Sequence, residues 1–163
     1  MKNQIDLINE MKEHRFFRMG EEDIVIFEKN ANLIKEQNNI EVIPELCSVL
    51  EDDVTCCAPC ENVIKVIQHM VLKANEAKEE AILKVFEGTK KMLDTAYEWA
   101  MLLHTQFICN EELLPIYVQA FQQLNNDEDR KMIINLLNDI YDEEFFEEPD
   151  LQDIIRRLEK NEN

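Results

Sequence analysis

Apolar residues recur along this chain at intervals of three and four, the spacing that gives a helix one buried face. Ile5, Leu7, Ile8 and Met11 form the first stripe. A second helix is expected from about Glu21 to Gln37, with Ile24, Phe27, Ala31 and Ile34 on one side and Asn38-Asn39 ending it. Glu21, Glu22 and Asp23 sit at its start, where the helix dipole favours negative charge. A third helix is expected over Glu41 to Glu51, because Pro44 falls in its first turn, where no backbone hydrogen bond is lost. Val63, Ile64, Ile67, Met70 and Val71 mark a fourth. Further helices are expected over Ala77 to Met92, Ala96 to Ile108, Glu111 to Leu124 (capped by Asn110), Glu128 to Asp142, and from Pro149 onward. No segment alternates with a period of two, so no strands are expected.

Taken in pairs, the helices show an internal spacing. Leu50, Phe86 and Phe121 are 36 and 35 residues apart, and Val66, Leu102 and Leu137 repeat those intervals. So do Val63, Trp99 and Ile134, while Pro44 and Pro115 lie 71 apart. A period near 35 with two helices per unit fits helical-repeat proteins, in which each hairpin buries its stripe against its neighbours. A plain run of short-looped hairpins gives similar spacing. The expected fold is therefore all-α, a HEAT-like array of antiparallel helical hairpins. It is read as one domain over residues 1–163, with N-terminal helices at 1–40, three hairpins at 41–142, and an acidic loop and helix at 143–163.

Composition narrows the function. Asp and Glu number 35 against 17 Lys and Arg, a formal net charge of −18. So acidic a surface disfavours nucleic-acid phosphates and anionic membranes as partners. With only 2 glycines, Gly20 and Gly88, no phosphate-cradling loop is available. No leader-like run follows Met1, and 5 cysteines, an odd number, read as reduced thiols; a cytoplasmic location is expected.

Candidate catalytic chemistry is sparse. Cys57 and Cys60 form a C-x-x-C beside Cys56, which has a thiol-redox reading, a zinc reading drawing on Cys47, and a plain reading as small residues at a helix entry. A redox site of this type ordinarily follows a strand, and no strand is expected here. No second C-x-x-C or paired-histidine motif completes a metal site, so neither metal nor cofactor is expected. The single serine, Ser48, lies in an apolar stretch, and His14, His69 and His104 are scattered. Enzymatic activity is not expected.

The acidic residues are more informative. Glu51-Asp52-Asp53 forms an acidic turn, and seven of the twelve residues from Asp139 to Asp150 are acidic. Among the latter stand Tyr141, Phe145 and Phe146, flanked by Glu143, Glu144, Glu147 and Glu148. Aromatics set in charge suit a protein interface, in which charge steers and rings anchor; packing of both phenylalanines under the last helix is the competing reading. Trp99 likewise reads either as core or as an exposed anchor. A strongly negative surface speeds encounter with a basic protein by roughly ten- to a thousand-fold.

From Glu61 to about Tyr141 the chain resembles the immunity protein 30 family of bacterial polymorphic-toxin systems. The residues carrying the resemblance are Ala96-Tyr97-Glu98-Trp99-Ala100-Met101-Leu102-Leu103, Asn110, and Lys131-Met132-Ile133-Ile134-Asn135-Leu136-Leu137, with His69 and the acidic turn before Glu61. Gln106 stands where an arginine would be looked for, and the cysteine cluster departs from the pattern. The resemblance implies a helical cytoplasmic protein that binds and neutralises a cognate toxin. The expected toxin-binding residues are Glu51, Asp52, Asp53, Tyr141, Glu143, Glu144, Phe145, Phe146, Glu147 and Glu148. The alternative is a helical-repeat scaffold or adaptor for endogenous partners. A metal or thiol protein using the cysteine cluster is the third reading.

Overall fold

A computed structural model of the chain describes residues 3–143 and 150–160. Among these residues there are helices and turns and no strands. The helices are α1 (Gln4–His14), α2 (Glu21–Gln37), α3 (Ile43–Cys47), α4 (Ala58–Lys73), α5 (Lys78–Thr89), α6 (Tyr97–Ile108), α7 (Leu114–Gln122), α8 (Asp127–Asp142) and α9 (Asp150–Lys160). The chain divides into two compact units, Met1–Ala100 and Met101–Asn163, with the boundary inside α6.

In the first unit α1 and α2 run antiparallel, as their cross-links show. His14 meets Asp23, Glu10 meets Asn30 and Gln4 meets Asn39. The turn between them places Phe17 at φ 53°, a left-handed conformation costly for an aromatic residue, with Gly20 at φ 66°. Burial of Phe17 edge-on against Phe27 at 5.2 Å offsets that strain. Beyond this hairpin α1 packs on α3, α2 on α4, and α3 on both α4 and α5. The core is made by residues such as Met11, Ile34, Ile43, Leu46, Val63, Ile67, Val85 and Phe86.

Gly88 permits the contact of α5 with α3. A Cβ at that position would lie 2.6 Å from Cys47 Sγ and 3.1 Å from Pro44 Cα. Two ion pairs border the contact, Lys84 with Glu41 at 2.9 Å and Lys91 with Glu45. Lys12 of α1 also reaches Glu45, at 3.2 Å, and these lysines hold the Glu45 carboxyl below the usual carboxylate range.

The helix expected over Glu41 to Glu51 is shorter in the structure. A 3-10 turn, Ile40–Val42, leads into α3, which ends at Cys47. Ser48 Oγ donates to the Glu45 carbonyl at 2.6 Å, and Ser48, Val49 and Leu50 make three-residue backbone bonds in place of four-residue ones. Local competition of this kind tightens and stops a helix. Leu50 is buried but lies past the end of its helix. The helix expected from Glu111 begins at Leu114 instead, because Asn110 Oδ1 accepts from Glu112 and Leu113 N–H and holds a turn ahead of it.

In the second unit α9 packs on α7 and α8, burying Leu151, Ile154, Ile155 and Leu158. Arg130 lies over the Phe121 ring at 4.7 Å and donates to the Leu124 carbonyl at 3.2 Å. His104 and Tyr117 are fully buried and share a hydrogen bond of 2.7 Å. Burial holds the His104 pKa down, at about 3, and pushes the Tyr117 hydroxyl up.

Candidate functional site

Within the first unit, the acidic turn is the meeting point of three segments. Its residues follow the early end of α3, so the chain turns here toward α4. Glu51 is buried, 6% exposed, and its carboxylate takes Arg15 at 2.8 Å. Arg15 also donates to the Ser48 carbonyl at 3.2 Å, so one guanidinium ties the α1–α2 turn to the end of α3. The Glu51 carbonyl accepts the Trp99 indole N–H at 2.8 Å. Trp99 is 8% exposed, which places it in the core and removes the reading of it as an exposed anchor.

Asp52 does a different job. Its carboxylate accepts from the backbone N–H groups of Glu98 at 3.2 Å and Trp99 at 3.4 Å, and its own N–H donates to the Thr95 carbonyl at 2.8 Å. A side chain from a distant segment thus caps the first turn of α6, satisfying donors a helix start leaves open and placing negative charge where the dipole favours it. Asp52, Asp53 and Glu98 are all exposed. Folding therefore adds Glu98 to the acidic turn, 46 residues from Asp52 in sequence. Charge density along the chain does not mark it, because Glu98 stands alone in the segment Tyr97-Glu98-Trp99; the signal that could have found it is the uncapped start of the α6 helix.

The other expected contact residues divide. Tyr141, 39% exposed, and Glu143, exposed, lie at the end of α8 in the second unit. Glu143 N–H donates to the Asp139 carbonyl at 3.1 Å. Glu144, Phe145, Phe146, Glu147 and Glu148 lie outside the described residues.

The remaining titratable groups bear on what chemistry is available. Cys47 and Cys60 are buried, and burial pushes both thiols up to about 12, so both rest protonated. Cys56 is half-buried, while Cys57 and Cys109 are exposed. Among the described residues no group of three or more His, Cys, Asp and Glu side chains could hold a metal ion. His69 lines a cavity of ≈ 640 Å³ with Asn32, Lys35, Glu36, Asn38 and Lys73. Burial, and then the charges of Lys35 and Lys73, hold its pKa below the ordinary histidine value. No described helix is long and apolar enough to cross a membrane.

Comparison with known proteins supplies the context for this arrangement. The family model described as Immunity protein 30 matches residues 14–117. The match begins upstream of the resemblance carried by the sequence motifs and stops at Tyr117, so it includes the acidic turn, His69, Trp99 and Asn110 but excludes Lys131–Leu137 and Tyr141. No curated protein and no solved structure matches the chain.

Proposed function

The chain belongs to the immunity protein 30 family, and from that premise we propose that it binds and neutralises a cognate bacterial toxin by forming a stoichiometric complex, without enzymatic activity of its own. The family match carries this reading. The net charge of −18 supports a basic partner, since a toxin that handles phosphate or another anion presents positive charge.

The binding residues in this proposal are Asp52, Asp53 and Glu98 in the first unit and Tyr141, Glu143 and residues 144–148 in the second. Glu51 supports the first group from beneath, through Arg15 and Trp99. Exposed carboxylates steer the encounter, and aromatic rings supply the apolar contact that slows release. The protein acts in the cytoplasm, where a toxin that has entered the cell would meet it.

The proposal also keeps the HEAT-like repeat of about 35 residues, in one domain. The packing of α1 on α3, α2 on α4 and α3 on α5, each helix against its second neighbour, supports it, because stacked hairpins make that pattern. A single unfolding transition followed by several probes is expected, and two separable transitions would divide the chain.

Co-expression with the product of the neighbouring gene, first shown to be toxic by itself, tests the function. The expected result is a one-to-one complex and survival of cells that die from the toxin alone. Survival without any complex, or a complex that leaves the toxin active, would overturn the proposal. The adaptor reading has no specific observation in its favour.

A further inference from the structure

Cys57 and Cys60 are placed one helical turn apart at the start of α4. Cys57 is the residue before the helix, with φ −80° and ψ −26°, and its carbonyl accepts the Glu61 N–H at 3.0 Å. Cys60 is the third residue inside. Helical backbone brings Cα atoms three residues apart to about 5 Å, within the roughly 4.4–6.8 Å window of a disulfide. The Cβ atoms must close from about 5–6 Å to about 4 Å, which rotation at the terminal residue can supply.

The two sulfurs differ in the way a two-step oxidation requires. Cys57 is exposed, while Cys60 is 1% exposed with the Glu51 backbone N–H donating toward its sulfur. We propose that Cys57 and Cys60 form a peroxide-sensitive thiol pair that closes to an intramolecular disulfide. The Cys57 thiolate attacks hydrogen peroxide, giving a sulfenic acid and hydroxide. The Cys60 sulfur then displaces water from that sulfenic acid, its proton leaving with the water, and the S–S bond forms. Two thiols are oxidised, one peroxide is reduced, and two waters result in total. A neutral oxidant suits this site better than glutathione disulfide, whose negative charge is repelled by Asp52, Asp53 and Glu61. Desolvation keeps the buried Cys60 thiol protonated, so the attack on peroxide falls to the exposed Cys57, and Cys60 gives up its proton only as it displaces water from the sulfenic acid.

The pair reaches the acidic turn through Glu51. Closing the disulfide turns the Cys60 sulfur from the Glu51 N–H toward Cys57, and the Glu51 carbonyl holds the indole of Trp99, the chain's one tryptophan. Oxidation of the pair does not depend on whether the turn binds a toxin.

The test treats the full chain, Cys57→Ser and Cys60→Ser with dilute hydrogen peroxide, whose oxidation follows thiolate character and exposure. The wild type should lose two hydrogens, with the bond assigned by fragmentation to Cys57–Cys60, and its tryptophan emission should shift. Cys60→Ser should stop at a sulfenic acid that dimedone traps on Cys57. Cys57→Ser, altered only at an exposed position, should form any bond and show any emission shift at least ~10-fold more slowly. A bond between Cys56 and Cys57, crosslinking between chains, oxidation of Cys57 with Cys60 left as a thiol, or equal rates in Cys57→Ser would each overturn the proposal.

Discussion

Two acidic stretches, the turn after α3 in one unit and the end of α8 in the other, resemble each other as strings of letters and differ in what their carboxylates do. At Glu51-Asp52 both are engaged, one with a guanidinium and the other with two backbone N–H groups. At the end of α8, Tyr141, Asp142 and Glu143 are exposed. Charge density along a chain thus does not separate carboxylates that hold a fold from those available to a partner. Burial makes that separation: Glu51 is buried, whereas Asp52 caps α6 and still presents its charge to solvent.

Substitutions can break the comparison at its structural end first. Trp99→Ala removes a core ring and leaves the Glu51 carbonyl without its donor, and should cost about 3–5 kcal/mol in denaturant melts. Gly88→Ala forces a methyl group toward Cys47 and the Pro44 backbone and should cost about 1–3 kcal/mol by the same assay. Asp52→Ala should cost about 1 kcal/mol through loss of the cap. Asp52→Asn, which can still accept those hydrogen bonds, should stay within ~0.5 kcal/mol of the wild type. Equal losses in the two Asp52 variants would mean that its charge, not its capping geometry, supports α6. At the exposed end, Glu143→Gln should leave stability within ~0.5 kcal/mol; a larger loss would show that this carboxylate is also structural.

His104 sharpens the comparison from the second unit's core. Its folded pKa, about 3, lies below the unfolded value near 6.5, so the unfolded chain binds the proton first. The stability carried by the neutral, buried ring is present above about pH 6.5 and is lost as pH falls toward 3. Relative to the wild type, His104→Gln should show a shallower decline of stability over that interval. Parallel pH profiles would show that the ring is not held neutral.

Periodicity made much of the fold legible. The expected bounds of α2 coincide with the observed Glu21–Gln37, because a three-acid start and the left-handed Asn38 are both local signals. The early stop of α3 is not legible in the same way, because Ser48 competes for the Glu45 carbonyl, and the choice between continuing and turning is made by what Glu51 meets 36 residues upstream at Arg15. Trp99 can be read two ways until its partner is known, since an indole on a helix carries no mark of the carbonyl it will find 48 residues away. The recruitment of Glu98 to the acidic turn depends on the same long-range capping.

The central claim is that exposed carboxylates of this immunity family member steer it to a basic toxin. The most direct measurement is the association rate with the proposed cognate toxin, from low to physiological salt, for the wild type and for Asp52→Asn, Asp53→Asn, Glu98→Gln combined. The wild-type rate is expected to fall about ten-fold or more with salt, and the variant to associate more slowly with a flatter dependence. A rate indifferent to salt, or a variant as fast as the wild type throughout, would contradict the claim.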